Sequence, residues 1–195
     1  MGREWESPLG NVYVSTIVRL APTDPPAPTL AFVAALAVQR TLTVWAPGQN
    51  FQIKWPNDIL SADGAKISGM LLERSNDAVV VGVGVNLASH PKGLARPVTS
   101  LAALGLRPPA PQKFVEQMAA EFAARLDQWR SVGLGGILAA WQAAAHPAGT
   151  PLIVHLPDGG GVQGHYSGLG DDGSLKLRLA DGSIRAIHAA DIFLI

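Results

Sequence analysis

Lys54-Trp55-Pro56-Asn57-Asp58 places a lysine, an amide and a carboxylate within five residues. A second lysine opens the downstream run Lys66-Ile67-Ser68-Gly69-Met70-Leu71-Leu72-Glu73. These polar groups stand at the ends of otherwise apolar segments, where burial is costly unless partners satisfy them. Two cations beside a carboxylate suit a phosphate ester with its divalent metal. Lysine neutralises phosphoryl oxygens, and Asp58 offers hard oxygen ligands to magnesium. The plainer alternative is that both lysines run along the surface and place their ammonium groups in water. Spacing alone leaves both readings open.

Gly82-Val83-Gly84-Val85-Asn86 sets two glycines inside a strand-like run. Such glycines mark either close sheet packing or a ligand lying against the backbone. No third glycine opens a following helix, so this is no dinucleotide fingerprint. Asn86 either bonds a ligand or caps a turn. Gly2-Arg3-Glu4-Trp5 carries a guanidinium suited to phosphate and an aromatic suited to a flat apolar face, though a frayed terminus explains it equally well. His90, His146, His155, His165 and His188 are scattered without metal-ligand spacing and read as non-catalytic. No serine-nucleophile elbow is present.

The elements that must position these groups read as follows. Asn11 to Leu20 is a buried strand, the proline-rich Ala21 to Pro28 a loop, and Thr29 to Thr43 a helix with Thr29 as its cap. Phe51 to Lys54 is a short strand that Trp55-Pro56 should end. A turn at Ser61-Ala62-Asp63-Gly64 folds Lys66 back towards Asn57-Asp58, and strands follow at Ala65 to Glu73 and Ala78 to Leu87. Both are nearly continuous apolar runs, so part of each is covered on both faces. Lys113 to Trp129 and Gly135 to Ala145 are helical by pattern. From Thr150 short strands alternate with Asp-Gly turns (Leu152 to Leu156, Val162 to Ser167, Ser174 to Leu179, Ile184 to Ile187), as in a small antiparallel barrel. An α+β class results, with a boundary expected near His146 to Gly149.

At 195 residues and 48% hydrophobic content the chain can build a core without covalent staples. Lys+Arg and Asp+Glu both number 15, so no global charge draws it to nucleic acid or to a membrane. The cysteine count of 0 excludes disulfides and a thiol nucleophile, and fits a cytoplasmic location. The N-terminus has no apolar signal region, and the apolar stretch Leu30 to Val38 falls short of the roughly 20 residues that cross a bilayer. A soluble protein is expected.

Taken together, the motifs resemble biotin protein ligases. The match rests on Gly2-Arg3-Glu4-Trp5 with Ser7-Pro8 and Gly10-Asn11, Lys54 to Asp58, Lys66 to Glu73, and Gly82 to Leu87, in family order. The resemblance implies a mixed β-sheet with packed helices, a biotin/lipoate ligase-like catalytic domain over residues 1–147, followed by a small SH3-like barrel over 148–195. It implies ATP-dependent attachment of biotin, through biotinyl-5′-adenylate, to a lysine of a carboxylase's biotin carboxyl carrier domain. ATP, Mg2+ and biotin are the ligands implied. Lys66 would contact biotin and the developing adenylate charge, and Asp58 would serve the nucleotide and hold magnesium. Lys54, Asn57 and Asn86 would bind substrate or nucleotide, Gly69 would admit the ligand close to the backbone, and Arg3 and Trp5 would fold over the adenylate. A homodimer is compatible, and no DNA or membrane partner is implied.

The family's phosphate loop is a longer glycine-arginine run, of which this chain carries Gly2-Arg3, and an upstream serine-threonine-asparagine segment grips the biotin ring. The sequence as given lacks that segment and any N-terminal DNA-binding domain, so weakened biotin affinity and adenylation are expected of it. Competing readings are a binding domain without turnover and a lipoate ligase-like enzyme.

Overall fold

A computed structural model describes residues 7–94, 96–156, 160–188 and 190–194. Arg3 and Trp5 lie outside the described residues. The first sheet contains β1 (Val12–Arg19), β2 (Phe51–Lys54), β3 (Asp58–Ser61), β4 (Lys66–Ser75) and β5 (Ala78–Val85), in the order β1-β5-β4-β3-β2. Its strand pairs are all antiparallel, and parallel pairing is confined to isolated bridges at Ile53–Ala145 and Lys66–Val98. Helices α1 (Leu30–Trp45), α2 (Pro111–Ser131) and α3 (Leu134–Ala144) accompany it. The second sheet, of order β10-β6-β7-β8-β9, is built from β6 (Pro151–His155), β7 (Gly161–Leu169), β8 (Leu175–Arg178), β9 (Ile184–Ile187) and β10 (Asp191–Leu194). The α+β class is as expected. Strands β3 and β10 were not, being four residues each with no long alternating pattern to announce them.

Alternation divides the first sheet into two faces. Val79, Val81, Val83 and Val85 turn one way, and the first three meet Val18, Thr16 and Val14 of β1 across the ladder. This face packs on α1 and α2, whose Ala37, Val38, Met118 and Phe122 share an apolar groove with Val14 and Val83. The opposite face carries Tyr13, Gly84 and Gly69. Of the two apolar runs, β4 is covered only in its first half, since Leu71 is 62% exposed.

Ala27–Trp45 forms a continuous helical stretch of 19 residues with mean hydropathy 1.3, long and apolar enough to cross a membrane, contrary to the sequence expectation. Its apolarity has another cause. Leu30, Phe32 to Val38 and Leu42 are all buried among the sheet and the other helices, as in a core helix. Thr29 does not cap it. Residues Ala27–Thr29 form a 3-10 turn, and the Thr29 hydroxyl donates to Pro26 O (2.6 Å) while accepting from Trp129 Nε1 (2.8 Å). A tertiary partner on α2 outcompetes the local cap.

The second sheet is seated on the first part of the chain by aromatic contacts. Trp55 Nε1 donates to Gly173 O (3.2 Å), and Phe32, edge-on to Trp141 of α3, lies against Gly173. Gly173, in the turn between β7 and β8, has φ +84°, and a Cβ there would run into the Phe32 ring. Only glycine fits both demands.

Tyr166 is buried at this junction, its hydroxyl has no hydrogen-bond partner among the described residues, and burial pushes its pKa from 10.0 up to about 12. The folded state therefore holds the phenol proton more tightly than the unfolded chain does. Its contribution to stability is complete below pH 10 and is lost as pH rises towards 12. Denaturant midpoints of the wild type and Tyr166→Phe should differ by a constant amount below pH 10, with the wild type losing ground above it. Parallel curves through pH 12 would show that the phenol is not buried as described.

Candidate active site

The Lys54-to-Asp58 block is the turn of a hairpin. Lys54 ends β2, Asp58 begins β3, and the two are direct cross-strand partners. Trp55-Pro56-Asn57 links them, with the Trp55–Pro56 peptide cis. Lys54 Nζ accordingly lies 3.6 Å from Asp58 Oδ2. Asn57 ties the turn to the next strand: its Nδ2 donates to Met70 O (2.6 Å), and Met70 N donates to Asn57 O (3.0 Å).

Lys66 reaches the same carboxylate because of a register slip. Asp58 pairs with Gly69 and Ile59 with Ser68, but Leu60 pairs with Lys66, where an unbroken ladder would supply Ile67. Such a bulge re-aims a side chain. It brings Lys66 to the face of Asp58 and Gly69, where its Nζ forms an ion pair with Asp58 Oδ1. A Cβ on Gly69 would stand 2.7 Å from that Nζ and 3.4 Å from Asp58 Oδ1. Glycine here makes the room in which the ion pair sits.

The bare backbone continues across the sheet. Asp58, Gly69, Gly84 and Tyr13 are successive cross-strand partners on β3, β4, β5 and β1. Gly69 and Gly84 are neighbours in this row, and the Lys66 side chain lies over Gly69. Gly82 belongs to the next row, between Leu71 and Ser15.

A third cation joins the cluster. Arg96 Nη1 lies 3.5 Å from Asp58 Oδ2. Its segment is laid alongside β4 by Lys66 N donating to Pro97 O (3.0 Å) and Thr99 N donating to Lys66 O (2.9 Å). Asn86 secures the same segment, its Nδ2 donating to Thr99 O (3.0 Å). Lys54, Lys66 and Arg96 therefore surround one buried carboxylate, leaving two positive charges in excess. Burial lowers the Lys54 pKa, with Arg96 and Lys66 adding to the depression and Asp58 opposing it. Lys54 Nζ also stands 6.0 Å from the Phe193 ring centroid, so β10 supplies a cation–π partner. Burial, and then the Lys54 charge, lower the His146 pKa and favour the neutral imidazole.

Two family models match the chain, the Biotin/lipoate A/B protein ligase family over residues 1–86 and the Biotin protein ligase C terminal domain over residues 153–195. The biotin--[acetyl-CoA-carboxylase] ligase of Paracoccus denitrificans is 36% identical over 206 residues, an alignment covering 98% of this chain and 83% of the relative. This chain belongs to the biotin protein ligase family. The Mycobacterium tuberculosis biotin--[acetyl-CoA-carboxylase] ligase is 32% identical over 84% of the chain, which spans 61% of that relative's length. Among solved structures, the Aquifex aeolicus biotin protein ligase in complex with biotin and ATP superposes with a TM-score of 0.86 at 21% identity, covering 100% of this chain and 83% of that one. That likeness establishes a biotin protein ligase fold.

Within this member of the biotin protein ligase family, Lys54, Asp58, Lys66 and Gly69 are brought together as a unit. Asn57 and Asn86 border it with their amide nitrogens committed to backbone carbonyls. Two residues escaped the sequence reading of roles. Arg96 lies in a loop with no periodic signal. Asn11 Oδ1 accepts from the backbone N–H groups of Leu87, Ala88 and Ser89 (2.9, 2.9 and 3.2 Å), fastening the turn after β5 to β1.

The donor set decides what metal chemistry fits. Among the described residues no group of three or more His, Cys, Asp or Glu converges. Asp58 is a single carboxylate already facing three cations. That suits a magnesium ion arriving with a nucleotide's phosphates and keeping its waters, and does not suit a resident metal.

Proposed function

We propose that this chain activates biotin with MgATP and transfers it to a carrier lysine, using the Asp58 cluster as its charge-stabilising centre. In the first step a biotin carboxylate oxygen attacks the α-phosphorus of ATP, the bond to the bridging oxygen breaks, and pyrophosphate leaves. In the second, the carrier's lysine amine attacks the acyl carbon and AMP departs. Neither step needs a covalent protein intermediate, so the chain's task is positioning and charge stabilisation.

The observation that carries this reading is the juxtaposition of three cations and one buried carboxylate beside the paired Gly69 and Gly84. Lys66 neutralises charge developing on the α-phosphoryl and carboxylate oxygens. Asp58 holds Lys66 in place and offers its carboxylate to the magnesium of MgATP, which screens the phosphate charge. Gly69 and Gly84 let the ligand approach the backbone, Asn57 and Asn86 offer amide oxygens to the nucleotide, and Arg3 and Trp5 cover the adenylate. A C-terminal unit over 148–195, a cytoplasmic setting, no DNA role and pairing of two copies along the β1 edge complete the proposal. The match of the Biotin protein ligase C terminal domain over residues 153–195 favours biotin over lipoate.

The test is to incubate the 195-residue chain with biotin, MgATP and a biotin carboxyl carrier domain, and to weigh the carrier. A gain of one biotinyl group is expected, with none when lipoate replaces biotin. Transfer of lipoate, or no carrier modification and no adenylate, would overturn the assignment.

A further inference from the structure

We infer that Arg96 is a third phosphate-binding residue of this site, parked on Asp58 in the free protein and turning to clamp phosphoryl oxygens when an anion enters. The inference rests on the nucleotide reading above and goes beyond it, since the motifs that identify the family assign nothing to this arginine.

Three observations converge. First, Arg96 is the most accessible cation of the cluster. Its side chain is 37% exposed, against 22% for Lys66 and 12% for Lys54. Second, its hold on Asp58 is loose and shared. Arg96 and Lys54 approach the same Oδ2 at 3.5 and 3.6 Å, while Lys66 occupies Oδ1 at closer range. If the guanidinium swings away, Asp58 keeps two lysines and is not left as a bare buried carboxylate, so release is cheap. Third, its backbone cannot drift, because Pro97 and Thr99 are hydrogen-bonded to both sides of Lys66. A mobile planar fork is thus tethered to a fixed strand within reach of the excess positive charge. Guanidinium geometry matches phosphate oxygens two at a time, which an ammonium cannot do. A purely structural salt bridge has no need of this arrangement, since Lys54 and Lys66 already neutralise Asp58.

The probe is inorganic pyrophosphate in metal-free buffer at fixed ionic strength, titrated calorimetrically into the full chain. Wild type should bind. Arg96→Gln should weaken binding about 10- to 100-fold, the range for loss of a charge-assisted contact. Arg96→Lys should fall between the two, because it keeps the charge and loses the fork. Lys113→Gln removes a charge from an exposed pair on α2 and should bind as wild type does. Thermal midpoints on the same samples establish that each variant is folded. If Arg96→Gln does not fold, Arg96→Lys decides alone. Equal affinity in wild type and the Arg96 variants, or no pyrophosphate binding by wild type, overturns the inference. A chain that binds pyrophosphate through Arg96 yet forms no biotinyl-adenylate would keep this anion site and defeat the ligase reading instead.

Discussion

Lys66→Met is expected to lower the rate of biotinyl-adenylate formation by about 10²- to 10³-fold, the scale on which loss of one preorganised charge-stabilising donor is felt. The fold should survive, because Lys66 is held by Asp58 and by the space over Gly69 and packs no core. Methionine keeps the length of the stem, with a thioether in place of one methylene, and removes the ammonium. Lys66→Arg should rescue poorly although it restores the charge. The guanidinium is broader, and the Lys66 ammonium already lies where even a Cβ on Gly69 would meet it at 2.7 Å. Pyrophosphate release on mixing with biotin and MgATP gives the rate. Near-wild-type release from Lys66→Met would remove this residue from the chemistry. A full rescue by arginine would show that charge, and not placement, is what the site requires.

How far the site could be read from sequence depends on how each contact is made. Lys54 and Asp58 are cross-strand partners around three linking residues, so their proximity follows from the motif alone. The return of Lys66 was legible from the Ser61-to-Gly64 turn. Its arrival on the correct face was not, because that depends on a bulge opposite Leu60, and strict alternation would have sent it to the other side. Arg96 was invisible for a different reason. It is placed by backbone hydrogen bonds between an irregular segment and Lys66, and such bonds carry no side-chain signature. Thr29 shows tertiary structure overruling a local rule, since its hydroxyl is claimed by Trp129 on a helix 100 residues away. Long apolar periodic segments were sound, whereas β3 and β10 are short enough that sheet neighbours alone define them.

Asp58→Asn should do the most damage to stability and activity together. The substitution preserves shape but turns one acceptor oxygen into a donor NH2, and it leaves Lys54, Lys66 and Arg96 facing one another without a counter-charge. Lys66 and Arg96 reach solvent and can relax. Lys54 is the group trapped, and removing the partner of a buried cation costs about 3 kcal/mol. The sign of the pH dependence follows. The folded-state Lys54 pKa already lies below its usual 10.5 through burial, Arg96 and Lys66, with Asp58 the opposing influence. Losing Asp58 depresses it further, so the unfolded chain binds more protons than the folded one from that lowered pKa up to 10.5. The variant's deficit is therefore full below that lowered pKa and shrinks as pH rises through it. Tyr166 titrates in both proteins and cancels in the difference. Adenylation should fall with Lys66 no longer oriented, while metal-free pyrophosphate should bind at least as tightly as to wild type, because one repelling charge has gone. Chemical denaturation of both proteins across pH 7 to 10.5 measures the first effect and calorimetry the second. Unchanged stability at pH 7, or weakened binding of the bare anion, would mean that Asp58 is not the counter-charge on which this cluster is built.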